Sequence, residues 1–212
     1  MFKRNQVEEA IARVLEPGFP KPSSEMRTRL KRLLETDRGL NRNKRSADPH
    51  RANFAFYSMD APGRGVENWF SDYEAFALLT GLRLMRHGWP QGFAVAVLRR
   101  VKPELEKHHV RILKQNTAIL FDEQQIRQRA KAGDLVVDST DPVFLVIISR
   151  DRKDHAASNP VAICRGQEQL VRFIGAQGVD KAWTVFELVN SVHALSSALA
   201  KTRPRRRGRS SE

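Results

Sequence analysis

The spacing of apolar residues changes between the two halves of the chain, and this change constrains the fold most. In the first half, apolar residues recur every three or four positions, as on the buried face of a helix. In the second half, short apolar runs bounded by polar segments are typical of strands; they lie at 135–137, 143–148 and 161–164. The sequence therefore predicts an α+β fold, mainly helical at first and with a small sheet later.

A proline-rich turn separates the first two predicted helices. The first covers residues 6–15 with Asn5 as its N-cap, and two prolines and a glycine at 16–20 end it. The second begins at Ser23 or Ser24 and carries basic side chains opposite its apolar stripe. This arrangement is the minimal form of a protein that recognises the DNA major groove: a helix, a turn and a second helix with a basic face.

The residues after the second helix predict a wing followed by further helices. The aromatic segment 53–57 and residues 66–70 are expected to pair as a β-hairpin. Ser71 and Glu74 have the capping-box spacing, so a helix should begin directly after this hairpin. We therefore predict a winged helix-turn-helix domain over residues 1–102.

A capped helix from Ser71, then Gly88-Trp89 and a second short helix through Val97-Leu98 follow the predicted wing. This order resembles the MerR family of winged helix-turn-helix proteins, and the resemblance covers residues 5–102. The basic second helix also fits the recognition helix of that family. The resemblance implies that residues 24–35 enter the major groove and that Arg64, at the tip of the wing, lies near phosphate.

The charge of the chain favours a polyanionic partner. Lys and Arg total 37 against 24 Asp and Glu, which gives a formal charge of +13, and nucleic acid is the commonest partner of such a chain. We predict a transcription regulator that binds double-stranded DNA. The candidate contact residues share basic or hydrogen-bonding side chains and lie on the second helix, the following loop and the hairpin: Ser24, Arg27, Thr28, Arg29, Lys31, Arg32, Arg38, Arg42, Lys44, Arg45, Arg51, Tyr57 and Arg64.

The second half is expected to be a separate small domain. Residues 103–117 are predicted to be a linking helix, 118–201 a small α/β domain, and 202–212 a basic tail without regular structure. Its last element is predicted to be one long helix over 181–201 with a wide apolar surface. That surface either pairs two subunits, as in a protein that reads two-fold sites, or packs within the monomer.

The sequence offers little for catalysis. It contains no phosphate-binding glycine loop and no nucleophile elbow, so we predict that the protein is not an enzyme and needs no cofactor or metal. Its single cysteine cannot form an internal disulfide, and no apolar run has the roughly 20 residues of a membrane span. A cytoplasmic location is therefore expected. Two alternatives stay open: an architectural, excisionase-like factor or antitoxin, and a metal-dependent nuclease that uses Asp134, Asp138 and Asp141.

Overall fold

The computed structural model of the chain describes residues 1–19, 21–59, 68–130, 138–149, 159–178 and 182–204. Helices and two small antiparallel sheets make up this part of the chain, so the α+β prediction is confirmed at this level. The elements in chain order are β1 (Phe2–Lys3), α1 (Arg4–Leu15), α2 (Ser24–Gly39), α3 (Pro49–Ala52), β2 (Trp69–Phe70), α4 (Asp72–Arg86), α5 (Gln91–Leu113), α6 (Thr117–Leu120), α7 (Glu123–Arg129), β3 (Val143–Ser149), β4 (Val161–Arg165), α8 (Gly166–Gly175), β5 (Ala182–Glu187) and α9 (Val189–Ala200).

Local capping signals place two helix starts where the sequence predicts them. The Ser23 hydroxyl accepts the Met26 N–H at 3.1 Å at the start of α2. At the start of α4, Ser71 Oγ accepts the Glu74 N–H, and Glu74 accepts the Ser71 N–H at 2.7 Å. The prediction of Asn5 as an N-cap is wrong, because β1 runs directly into α1 and Asn5 lies inside that helix.

The predicted hairpin between 53–57 and 66–70 does not form. Trp69–Phe70 instead pairs antiparallel with Phe2–Lys3, and residues 53–57 contain no strand. The physical reason is that the Asp37 carboxylate accepts the backbone N–H groups of Ala55 and Phe56, both at 3.0 Å. Those donors are therefore not free for a strand ladder. Residues 60–67, which include the expected wing tip, lie outside the described residues.

A three-stranded antiparallel sheet has the order β4-β3-β5, with β3 at its centre. The predicted strands at 143–148 and 161–164 are confirmed, while 135–137 lies outside the described residues. Side chains of β3 alternate between two cores, as the pleat requires. Val143, Leu145 and Ile147 join the main helical core, and the intervening side chains pack on α8 through Leu170.

The prediction of one long helix over 181–201 is wrong. Residues 182–187 form β5, which pairs with β3, and the helix begins only at Val189. The segment is rich in aromatic and β-branched residues, which fit a pleated surface well. Phe186 lies opposite Leu145 in the sheet and is 2% exposed, so the strand buries side chains that a helix here would aim elsewhere.

A single main core joins the two halves of the chain. It extends from Val7 in α1 to Leu199 in α9, and α9 packs directly against α1. The apolar side chains of α9 are therefore used within the chain. The expected boundary at 102 falls inside α5, which is continuous through Pro103 because Val101 and Leu105, on either side of it, are both buried. Among the described helices, none combines the length and the apolar character needed to cross a membrane.

Candidate nucleic-acid interface

Helix α2 turns its apolar stripe inward and its basic face to solvent. Met26, Leu30 and Leu33 are at most 3% exposed, and they seat the helix against the core. Because a helix has 3.6 residues per turn, the opposite side chains must face outward. Of the predicted contact residues on this helix, Ser24, Arg27, Thr28, Lys31 and Arg32 are exposed, whereas Arg29 and Arg38 are half-buried.

Most basic side chains on this face form a weak ion pair with a nearby carboxylate. Arg29 lies 2.5 Å from Glu25 and Lys31 lies 3.7 Å from Glu35, both one helical turn apart. Such exposed pairs contribute about 0.3–0.5 kcal/mol, so a phosphate can replace the carboxylate at small cost. The Arg32 side chain has no ion-pair partner among the described residues.

A basic loop at residues 41–52, which ends in the short helix α3, continues from the end of α2. Its Lys44, Arg45 and Arg51 side chains are exposed, while Arg42 is half-buried and its guanidinium lies 5.2 Å from the centre of the Phe54 ring. Hydrogen bonds within the loop give it a defined shape. Asn43 N–H donates to Arg51 O at 2.8 Å, and Arg45 N–H donates to Asn43 Oδ1 at 3.1 Å.

The buried pair of Asp37 and Arg99 anchors this loop. Asp37 is 0% exposed and Arg99 is 1% exposed, and Arg99 Nε donates to Asp37 Oδ1 at 2.6 Å. Arg99 Nη1 also donates to Asn41 O at 2.8 Å and to His50 O at 3.3 Å. The guanidinium therefore grips both ends of the loop while the carboxylate holds the segment that follows it. The loop and α2 form one surface because they share this pair.

Sequence reasoning missed Asp37 and Arg99, although part of the signal was present. Position 37 continues the stripe that runs through Leu30, Leu33 and Leu34 at helical spacing. A carboxylate at that position must be buried, and a buried carboxylate needs a partner. The identity of that partner, 62 positions further along, has no local signal.

Tyr57 was predicted to contact DNA, and the structure contradicts this. The side chain is 5% exposed and packs edge-on to Phe54 and against Phe70, with ring centres 5.8 and 6.5 Å away. Burial raises the pKa of the Tyr57 phenol. Its carbonyl oxygen accepts a hydrogen bond from the Lys102 ammonium at 2.6 Å. Tyr57 is a core residue because the absent hairpin leaves this segment folded against α4 and α5.

The acidic residues considered for a nuclease do not form a metal site in the described part of the chain. The Asp141 carboxylate is bound by Arg111 at 2.5 Å and by Arg165 at 2.8 Å, so its oxygens are already engaged. Asp138 accepts a hydrogen bond from Asn190 at 3.4 Å, and Asp134 lies outside the described residues. Within these residues, no three His, Cys, Asp or Glu side chains are grouped for a metal ion.

Comparison of this chain with protein-family models, with curated proteins and with solved structures finds no match. The resemblance to the MerR family therefore stays a prediction.

Proposed function

We propose that this protein binds double-stranded DNA through the exposed face of α2 and the basic loop at residues 41–52. The observation that supports this most is the shared anchor: Arg99 and Asp37 fix a cationic loop beside a helix whose outward face is cationic. A prearranged surface of this kind loses little side-chain and loop freedom on binding. We further propose that DNA binding serves transcription regulation.

The proposed contact is centred away from the first turn of α2, because negative charges lie there. Glu16 accepts hydrogen bonds from the Ser23 N–H and hydroxyl at 3.2 and 2.9 Å, and Glu25 lies in the first turn. These carboxylates repel phosphate. Lys31 and Arg32 lie further along the exposed face, and the helix leads from there into the basic loop. In this proposal the loop contacts the DNA backbone, a task that the sequence assigned to a wing.

Two kinds of contact are expected from such a surface. Each Lys or Arg that neutralises a phosphate releases condensed counterions, so affinity falls as salt rises. Arg32 can also donate two parallel hydrogen bonds to a guanine edge if the α2 face enters the major groove. Loop residues would then set position, and α2 would supply sequence preference.

The test is fluorescence anisotropy of the full chain with labelled duplex DNA at several salt concentrations. Arg32→Gln and Arg45→Gln each remove one exposed cation from the proposed surface. We expect each to reduce the slope of log K against log salt by about one for a phosphate contact. Arg172→Gln on α8 is the control outside the proposed surface, because Arg172 is also exposed; among the described residues and unlike Arg32, it has an ion-pair partner, Glu168, one turn away. Equal losses in all three variants would contradict the proposed surface.

A further inference from the structure

A cleft of about 380 Å³ opens between the end of α5, α6, α7 and the sheet. This volume lies within the range of roughly 300–1,000 Å³ that small-molecule sites occupy. The lining that matters here consists of Arg129, Arg165, Asp141, Thr140 and Ile119. None of these residues belongs to the surface proposed for DNA, so this cleft is a separate feature of the molecule.

Arginines outnumber carboxylates at this cleft. Asp141 accepts hydrogen bonds from Arg111, from Arg165 and from Gln115, the last at 2.6 Å. Burial raises the pKa of the Asp141 carboxyl, but the hydrogen bonds from Arg165 and Gln115 and the positive charges of Arg111 and Arg165 outweigh burial and lower this pKa overall. Asp141 is therefore ionised and offsets one of the two cations that hold it.

Arg129 supplies a further positive charge. Its Nη1 donates to Thr140 O at 2.9 Å, and its Nη2 lies 3.5 Å from Gln125 Oε1. A guanidinium carries five N–H donors, so these contacts fix the orientation of Arg129 and leave donors for a ligand. No ion pair between Arg129 and an acidic side chain occurs among the residues that the structure describes.

The cleft also has an apolar wall. Ile119 is 56% exposed, so its side chain offers apolar surface to this cleft. Ligand sites combine apolar walls with a few polar groups that fix orientation. The backbone beneath it is fixed because Thr140 N–H donates to Leu120 O at 2.8 Å and Thr140 Oγ1 donates to Ile119 O at 3.2 Å.

We propose that this cleft binds a small organic anion whose carboxylate or phosphate group pairs with Arg129 and Arg165 and whose compact apolar part rests on Ile119. Arginine forms two parallel hydrogen bonds to either kind of anionic group. Asp141 already shows how Arg165 holds a carboxylate, with Nε and Nη2 at 2.8 and 3.2 Å from its two oxygens. The binding is measured without DNA, so its outcome is independent of the proposed DNA contact.

The test is isothermal titration of the full chain with benzoate, with acetate and with inorganic phosphate. We expect benzoate to bind at one site and more tightly than acetate, because only benzoate has an apolar part. Arg129→Gln should weaken benzoate binding about tenfold or more. Arg127→Gln is the matched control in the same helix, since its exposed side chain pairs with Glu123 at 3.1 Å and does not line the cleft. It should leave binding unchanged.

Ile119→Asn separates the two parts of the proposal. It should weaken benzoate binding and leave phosphate binding unchanged, since phosphate has no apolar part. Three outcomes would overturn the assignment: no binding of any probe to the wild-type chain, equal weakening by Arg127→Gln and Arg129→Gln, or benzoate binding no tighter than acetate. Thermal unfolding of each variant shows that a loss of binding is not a loss of fold.

Discussion

Replacing Asp37 with Asn tests the buried pair that anchors the basic loop. The change keeps the size of the side chain but leaves the Arg99 guanidinium, which is 1% exposed, without its counter-charge. It also turns one acceptor oxygen into a donor group. The Ala55 and Phe56 N–H groups both depend on that carboxylate, so at least one of them loses its partner.

The expected cost follows from these contacts. Removing one partner of a buried ion pair costs about 3–5 kcal/mol, because the other charge stays buried and uncompensated. Proteins of this size have a free energy of unfolding of roughly 5–15 kcal/mol. Asp37→Asn should therefore lose a large fraction of the total stability. The loop at 41–52 should be held less firmly, because Asp37 no longer orients the guanidinium that binds Asn41 O and His50 O.

Urea unfolding followed by circular dichroism measures the free energy, and limited trypsin digestion measures loop protection. Trypsin cleaves after Lys and Arg, so Arg42, Lys44 and Arg45 offer sites in the loop. We expect a lower urea midpoint and faster cleavage there. Glu123→Gln, which breaks an exposed pair, is the control and should change neither. If Asp37→Asn were as stable and as resistant to trypsin as the wild type, the anchoring argument would be refuted.

Two further predictions concern the core. Gly81→Val should destabilise the fold by about 1–3 kcal/mol, because a Cβ there would already lie 3.3 Å from atoms of Leu33, Phe56 and Leu98; urea unfolding measures this. Burial lowers the pKa of His109 to about 4 from 6.5, so the unfolded chain binds more protons between these values and stability falls as pH drops through them. His109→Leu should remove this loss of stability, which is about 2 kcal/mol at pH 5. The difference in unfolding free energy between pH 7.5 and pH 5 measures it.

Each core prediction has a clear contrary result. Gly92→Val serves as the control for Gly81→Val, since a Cβ at Gly92 meets no atom within 4 Å. Valine has a higher helix propensity than glycine, so Gly92→Val should not destabilise the fold, and equal destabilisation by both variants would show that crowding at Gly81 is not the cause. For His109, an unchanged pH dependence in the His109→Leu variant would show that this imidazole is not the group that titrates.

The sequence predicted those features that depend on neighbours along the chain. The Ser71 and Glu74 capping box needs only residues three apart, and the inward face of α2 follows from helical spacing. The orientation of the basic α2 face could be predicted for the same reason. The structure keeps these features because no contact from a residue distant in the chain competes with them.

The failures arise where a distant residue decides the local structure. Residues 53–57 have the aromatic content of a strand, but Asp37 captures their N–H groups. Residues 182–187 fit a helical pattern, but β3 has an open edge that they fill. Arg99 contacts residues that are far from it in the chain. The burial of Tyr57 and the shape of the basic loop therefore could not be predicted from local sequence patterns.

Helix α5 links the basic loop at residues 41–52 to the cleft that Asp141 lines. Arg99 in its first half grips the loop, and Arg111 near its end grips Asp141; at 1.5 Å per residue the two arginines are about 18 Å apart along the axis. Pro103 lies between them, and because proline has no backbone N–H, α5 lacks one main-chain hydrogen bond there. A change in the tilt of one end of α5 would therefore either move the other end of the helix or bend the helix at Pro103.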